Sequence, residues 1–162
     1  MPDAPVPAFT VRAAVPADAE AISDVRIASW RVAYAGMLSA AFLADLPDTA
    51  AIWRGAIERG HHVPVAELDG RVVGFAVARP CGDEHPVRDT ELGLLYTLPE
   101  TYGTGLGAAL LDAALDGRPA SLWVAERNVR AIAFYRKHGF EPDGERVIDP
   151  EIEDLAEIRM VR

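Results

Sequence analysis

The sequence has little cysteine, little lysine and no long apolar run, and each shortage excludes a class of protein. Cys81 is the only cysteine among 162 residues, so a scaffold held by disulfides within the chain is excluded. Lys137 is the only lysine and the formal net charge is −9, which argues against nucleic acid as a partner, because phosphate binding needs a basic face. No apolar run approaches the roughly 18 residues that cross a bilayer, so we expect no membrane partner.

Half of the residues are hydrophobic and a quarter are charged, which are ordinary proportions for a globular protein. The length fits one domain, and no repeat or long linker divides the chain, so we predict a single domain over 1–162. The segment Met1-Pro2-Asp3-Ala4-Pro5 lacks the basic and apolar parts of a signal peptide. We therefore expect a cytoplasmic protein.

Apolar spacing and turn residues predict a mixed sheet with helices on its faces, in one α/β or α+β domain. Strands are predicted at 9–13, 61–68, 71–79, 91–97, 120–125, from Phe140 to a turn near Asp143-Gly144, and at 155–161. Helices are predicted at 16–35, in two short pieces within 39–59, at 105–116 and at 128–138. The residue pair Asp69-Gly70 is a strong signal for a two-residue hairpin turn.

The first predicted helix carries two apolar stripes. Ile22, Val25 and Val32 are expected to face the core. Trp30 and Tyr34 belong to a second stripe, which is either a wider core face or the wall of a pocket. We consider these two aromatic residues candidates for a substrate pocket.

A glycine-rich loop lies between a predicted strand and a predicted helix, with glycines at 103, 105 and 107. Glycines let the backbone turn tightly and point several N–H groups at one place, where the helix N-terminus adds its positive dipole end. The natural ligand of such a loop is a phosphate or pyrophosphate. A plain glycine-rich turn is the alternative interpretation.

Two nucleotide-binding motifs compete for this loop. A P-loop needs a lysine after the glycines, and Ala108-Ala109 supply none. A Rossmann fingerprint matches the spacing of Gly103, Gly105 and Ala108, with Glu126 about 20 residues further on as a ribose ligand. However, a Rossmann domain needs several further strand–helix units after its fingerprint, and the remaining chain is too short for them.

The segment Tyr102-Gly103-Thr104-Gly105-Leu106-Gly107 resembles the pyrophosphate loop of the GNAT superfamily of acyl-CoA-dependent N-acyltransferases. Asn128, Ala131, Phe134-Tyr135 and Gly139-Phe140 resemble the second signature of that family. Ser29-Trp30 with Tyr34 and Gly36 is similar to its first helix, and 157–160 to its closing strand. Tyr102 departs from the usual Gln or Arg. Trp123 stands where the ribosomal-protein acetyltransferases have a glutamate, which weakens a claim to that activity.

The resemblance implies a mostly antiparallel sheet of about six or seven strands and acetyl-CoA as co-substrate, with no metal. It implies that the backbone of Leu95, Tyr96 and Thr97 pairs with the pantetheine arm, and that Asn128 hydrogen-bonds to that arm. It implies a pyrophosphate site formed by Gly103, Thr104, Gly105, Leu106, Gly107 and Ala108. A homodimer is compatible with the resemblance.

Tyr135 is implied to protonate the departing thiolate, and it lies two helical turns after Asn128 on the same face. Glu91 is implied to be a general base. Simpler interpretations stay open: Asn128 as a helix N-cap, Tyr135 as a core aromatic residue, and Glu91 as a solvated carboxylate. The loop residues Cys81, Asp83, Glu84 and His85 are interpreted as polar and not as a metal site.

The sequence therefore predicts an N-acetyltransferase that transfers the acetyl group of acetyl-CoA directly to a primary amine. The acidic balance favours a cationic acceptor, whose identity the sequence leaves open. The alternative is a catalytically weak module that binds acyl-CoA as a regulatory ligand, and a Rossmann-type dinucleotide binder is a distant third.

Overall fold

Residues 8–162 are described by a computed structural model. The segment 1–5, from which the absence of a signal peptide was predicted, lies outside the described residues. The strands are β1 (Phe9–Ala13), β2 (Pro64–Leu68), β3 (Arg71–Pro80), β4 (Thr90–Thr97), β5 (Ser121–Ala125), β6 (Glu141–Asp149) and β7 (Leu155–Val161). The helices are α1 (Ala19–Ala33), α2 (Ala40–Ala44), α3 (Ala50–Glu58), α4 (Leu106–Leu115) and α5 (Val129–Lys137). Short 3₁₀ turns cover Pro16–Asp18, Pro99–Thr101 and Pro150–Ile152.

The seven strands form one sheet in the order β1-β2-β3-β4-β5-β7-β6. Strands β4 and β5 pair in parallel, and the pairs β1–β2, β2–β3, β5–β7 and β6–β7 are antiparallel. This confirms the predicted α/β class with a mostly antiparallel sheet flanked by helices. None of the helices in the described part of the chain combines the length and apolar character needed to span a bilayer.

Two predicted element boundaries are wrong for local reasons. Strand β2 begins only at Pro64, because the His61 N–H still bonds to the Ala56 carbonyl at the end of α3, at 3.1 Å. His61 and His62 therefore lie in a connection and not on a strand. The turn predicted near Asp143-Gly144 is instead an irregularity inside β6, where the register against β7 shifts between Pro142 and Arg146.

The described chain divides into two compact units. The first contains the chain up to Ser29, Pro47–Val77 and Leu94–Ala114, and the second contains Trp30–Leu46, Ala78–Gly93 and Leu115–Arg162. The prediction of a single domain stays a prediction.

The core of the first unit is a cluster of buried apolar side chains from α1, from β2 and the residue before it, and from β3: Ile22, Val25, Val63, Val65 and Phe75. Gly74 on β3 lets helix α4 approach the sheet closely. A Cβ atom at this position would lie 2.9 Å from Leu110 Cδ1 and 3.0 Å from the Tyr96 carbonyl oxygen. The position of α4 in this unit therefore depends on the missing side chain of Gly74.

An ion-pair network in the first unit joins β1 to β2 and to the 3₁₀ turn before α1. Arg12 on β1 donates to Asp18 at 2.7 Å and to Glu67 on β2 at 2.8 Å. The hydrogen bonds from Arg12 lower the pKa of Asp18, although burial acts in the opposite direction. The Asp18 carboxylate also accepts the Val15 N–H at 2.8 Å, which fixes the entry into α1.

The core of the second unit contains Leu38, Leu43, Ala125 and Leu155, with Trp30, Tyr34 and Phe42 packed against them. Trp30 and Tyr34 of the second stripe therefore pack against this core, and both stay partly exposed. The prediction that Val32 faces the core is wrong, because half of its surface is exposed. The helix continues only to Ala33, so its last turn presents Trp30 and not Val32 to the cluster.

Candidate functional site

The glycine loop that precedes α4 has the backbone shape that the sequence predicts. Gly103 and Gly105 have φ angles of +77° and +85°, which L-residues with a side chain rarely adopt. A Cβ atom at either position would contact nothing within 4 Å. Glycine is therefore needed here for the path of the backbone and not for packing.

Several N–H groups of this loop are available to a ligand. The N–H groups of Tyr102 and Thr104 bond within the loop, to Pro99 at 3.1 Å and to Thr101 at 3.3 Å. Four others make no hydrogen bond with any residue in the range 8–162, and they belong to Gly103, Gly105, Gly107 and Ala108. Donors that alternate with bonded groups at a helix N-terminus form a cradle for an anion.

The helix that carries this cradle is held firmly by its apolar residues. Leu106, Leu110 and Leu111 of α4 are buried in their unit, and each is at most 1% exposed. A buried helix keeps its N-terminus fixed, so the N–H groups are preorganised before a ligand arrives.

The strand that leads into the loop alternates its side chains between two environments. Leu94 and Tyr96 pack against the core of the first unit, where the Tyr96 ring lies 5.7 Å from the Phe75 ring. Leu95 and Thr97 point to the other face of the strand because successive side chains alternate. The Thr97 carbonyl accepts the Ser29 hydroxyl at 3.3 Å, which ties this strand end to α1.

Asn128 is the N-cap of α5, because its Oδ1 accepts the Ala131 N–H at 3.1 Å. The interpretation of Asn128 as a helix N-cap is therefore correct for its Oδ1 atom. The Nδ2 group makes no hydrogen bond within the described chain and stays available as a donor. Capping and ligand binding are compatible, and the cap fixes the direction in which Nδ2 points.

Tyr135 lies on α5, half-buried between two aromatic neighbours. Its ring is 5.4 Å from Phe134 and 5.8 Å from Phe140, both in edge-to-face arrangements. Its main-chain carbonyl accepts the Phe140 N–H at 3.0 Å, which closes the helix end. The ring position is therefore fixed by packing, as a proton donor requires.

Glu91 lies on β4 in the second unit, and its carboxylate is not a free, solvated group. Arg79 donates to Oε1 at 2.8 Å, and only 14% of the Glu91 side chain is exposed. Cys81 Sγ lies 4.0 Å from Oε2. The Arg79 guanidinium is also 3.3 Å from the position of a Cβ at Gly93, so a side chain there would displace it.

Trp30 and Tyr34 belong to a group of aromatic side chains in the second unit. The Trp30 ring lies 4.6 Å from Tyr34 and 6.5 Å from Phe42, all three only partly buried. The loop before α2 is tied to the turn before β7, because Glu153 accepts the Ser39 N–H at 2.7 Å and the Ser39 hydroxyl at 2.5 Å. The aromatic group therefore has a fixed frame.

Sequence reasoning missed Glu157 on β7. Its side chain lies on the same sheet face as Leu155 and Ala125, because β7 alternates and Glu157 pairs with Ala125. Burial raises the pKa of Glu157, and the charges of Asp149 and Glu91 raise it further. An acidic residue between apolar neighbours of a predicted strand was the available signal.

The polar loop after β3, which contains Asp83, Glu84 and His85, has one weak contact between charged side chains. His85 and Glu84 approach to 4.0 Å on exposed side chains. Within residues 8–162, no group of three His, Cys, Asp or Glu side chains is arranged to hold a metal ion.

The comparisons with known proteins agree with this geometry. The family model described as acetyltransferase (GNAT) domain matches residues 59–142. The chain is 29% identical over 143 residues to Rv2775 of Mycobacterium tuberculosis, whose name describes an N-acetyltransferase, and covers 80% of that protein. It is 32% identical over 159 residues to the N-acetyltransferase YuaI of Bacillus subtilis, and this match covers 93% of the present chain and 88% of YuaI. Against Rv2669 of M. tuberculosis, 44% identical over 87 residues, it spans about half of that protein's length.

Among solved structures, the PaiA N-acetyltransferase of Thermoplasma acidophilum in complex with coenzyme A superposes with a TM-score of 0.71 at 20% identity. The superposition covers 94% of this chain and 98% of that one. The fold, the glycine loop before α4 and the matches to known proteins together define an acyltransferase. The chain belongs to the GNAT acetyltransferase family, which confirms the predicted family and enzyme class.

Proposed function

We propose that this protein transfers the acetyl group of acetyl-CoA directly to a primary amine. The observation that carries the proposal is the cradle of four unbonded N–H groups, at Gly103, Gly105, Gly107 and Ala108, in a chain of the GNAT family. Backbone donors and a helix dipole suit the pyrophosphate of coenzyme A and need no lysine.

The remaining cofactor contacts follow the resemblance. The backbone of Leu95, Tyr96 and Thr97 pairs with the pantetheine arm, and Asn128 Nδ2 donates to it. The fixed N-cap of Asn128 supports this role, because the same side chain then presents its other half to the ligand.

The transfer step forms one bond and breaks one bond. The amine nitrogen attacks the thioester carbonyl carbon, and the carbon–sulfur bond breaks as the amide forms. The thiolate takes its proton from the Tyr135 hydroxyl, and the excess proton on the amide nitrogen returns to Tyr135 through solvent. No covalent enzyme intermediate is needed, because the thioester is already activated.

The acceptor in this proposal is a cationic amine that carries an apolar group. Trp30, Tyr34 and Phe42 offer partly exposed aromatic surface. Such surface suits both an apolar substituent and, through cation–π attraction, an ammonium group.

The role of Glu91 as general base stays a prediction, and the Arg79 ion pair weighs against it. The Oε1 atom of Glu91 already accepts from Arg79 at 2.8 Å, so it is engaged before an amine arrives. Its negative charge still favours the approach of a cationic amine.

Tyr135→Phe tests the proposal, because it removes only the hydroxyl and keeps the packing against Phe134 and Phe140. We expect kcat to fall by about 100-fold, the usual contribution of a general acid, with acetyl-CoA affinity unchanged by titration calorimetry. Unchanged turnover in Tyr135→Phe would show that Tyr135 is not the acid. If acetyl-CoA binds but no amine releases free thiol, the protein is instead an acyl-CoA-binding module.

A further inference from the structure

We propose that Glu157 on β7 is the group that takes the proton from the acceptor amine. This inference rests on the proposed acetyl transfer and gives Glu157 a role, whereas the resemblance matched this residue only as part of the closing strand.

The register of the sheet places Glu157 at the edge of the aromatic group. Glu157 pairs with Ala125 on β5, and Leu155 precedes it by two positions on β7. Paired residues and residues two apart share a sheet face, so Glu157 lies beside Ala125 and Leu155. Both of these residues belong to the cluster that packs against Trp30, Tyr34 and Phe42. A carboxylate there faces the surface proposed to hold the acceptor.

The carboxylate of Glu157 has no cation and no hydrogen-bond donor within residues 8–162, and its side chain is half-buried. The cations of its neighbourhood are all used elsewhere. Arg159 on the same strand bonds to Asp143 at 2.7 Å, Arg146 to Glu126 at 3.0 Å and Arg79 to Glu91 at 2.8 Å.

The charged groups that act on Glu157 from neighbouring strands are Asp149 on β6 and Glu91 on β4, and both are negative. Ala125 and Trp123 on β5 bring no charge. Burial and these like charges raise the pKa of Glu157, which makes it a stronger base than an ordinary carboxylate. An arriving ammonium group would supply the missing positive partner.

Glu91 and Glu157 therefore divide two tasks. The Glu91 carboxylate, which is paired with Arg79, favours the approach of the cation and raises the basicity of Glu157 through its charge. Glu157 accepts one proton from the ammonium, which becomes a neutral amine and attacks the thioester. The protonated carboxyl then returns its proton to solvent before the next turnover.

The test compares Glu157→Gln with Glu91→Gln and with Glu145→Gln, an exposed glutamate of β6 that serves as the matched control. Thiol release from acetyl-CoA is followed for a panel of primary amines, and acetyl-CoA affinity is measured by calorimetry. We expect kcat/KM of Glu157→Gln to fall by about 100-fold or more, since base catalysis contributes that much. Acetyl-CoA affinity is expected to be unchanged, and Glu145→Gln to match the wild type.

The pH profile gives a second measurement that a structural role would not change. Wild-type kcat/KM is expected to fall at acid pH with an apparent pKa above that of an ordinary glutamate, and Glu157→Gln is expected to lose this limb. If Glu157→Gln stays within about threefold of an active wild type while Glu91→Gln is inactive, Glu91 is the base and this inference is wrong. If the wild type acetylates no amine, the proposed function itself fails.

Discussion

Two glutamates on one sheet face have opposite surroundings. Glu91 has a guanidinium at 2.8 Å, whereas the charges that act on Glu157, those of Asp149 and Glu91, are both negative. A half-buried carboxylate without a cationic partner costs stability, and such a cost is typical of residues kept for function. Folding stability should therefore record the difference independently of any assay of activity.

Glu157→Gln is expected to keep or raise the melting temperature at neutral pH. The pKa of Glu157 is raised in the folded chain, so above the ordinary value of 4.5 the folded state binds more protons than the unfolded state. The contribution of Glu157 to the free energy of unfolding is fully present below pH 4.5, and it is lost as the pH rises through the raised pKa. Thermal unfolding of the wild type and of Glu157→Gln, measured from pH 4.5 to neutral pH, tests this expectation.

The comparison variant is again Glu145→Gln, whose exposed side chain should show no pH-dependent difference from the wild type. A Glu157→Gln chain that is less stable than the wild type at neutral pH would mean that the carboxylate has a stabilising partner. In that case the account of its surroundings is wrong.

The family resemblance supplied Asn128 and Tyr135 as candidates, because the signature that carries it lies within one helix and its start. Residue identities could not predict a role for Glu157, since its surroundings depend on which strands flank β7. That order, β5 on one side and β6 on the other, is a long-range property of the sheet. The same is true of Arg79, which reaches Glu91 across 12 residues of chain.

At the scale of elements, the loop before α4 combines two local conditions. Gly103 and Gly105 take positive φ angles, and the helix that follows is buried. The first condition directs the N–H groups outward, and the second keeps them in place.

Gly105→Ala is expected to weaken acetyl-CoA binding by about tenfold, because a side chain at positive φ costs about 1 to 2 kcal/mol unless the loop changes shape. Calorimetric titration with acetyl-CoA measures the affinity. The strain is expected to lower the melting temperature as well, so a control with equal strain is needed.

Gly117→Ala is that control, because Gly117 has a φ angle of +72° and open space around it, outside the loop. It should lose similar stability and keep its affinity for acetyl-CoA. Equal losses of affinity in the two variants would show that the loop does not bind the cofactor.

Element types were predictable where the pattern is local. The strand at Phe9–Ala13 and the strand at Leu155–Val161 match their predicted bounds, since alternation and turn residues mark both. The bend of β6 was not predictable, because Asp143-Gly144 suits a tight turn as well as a bulge. The pairing with β7 shows that the strand continues, because it resumes at Arg146 with Ile158 and runs to Asp149 with Leu155.

At the scale of the whole chain, the net charge of −9 and the single lysine first argued against phosphate ligands. The loop removes that objection for a cofactor, since its donors are backbone N–H groups. The acidic surface then concerns the second substrate and favours a cationic amine at low ionic strength. We expect KM for a cationic amine to rise with salt while KM for acetyl-CoA changes less.

The most direct test of acetyl transfer is an assay of the full chain with acetyl-CoA and a panel of primary amines. Free thiol is followed over time, and the acetylated amine is identified by mass spectrometry. We predict thiol release only when an amine is present, equimolar with acetylated product, and fastest for amines that carry an apolar group. Binding of acetyl-CoA with no product from any amine would contradict the account.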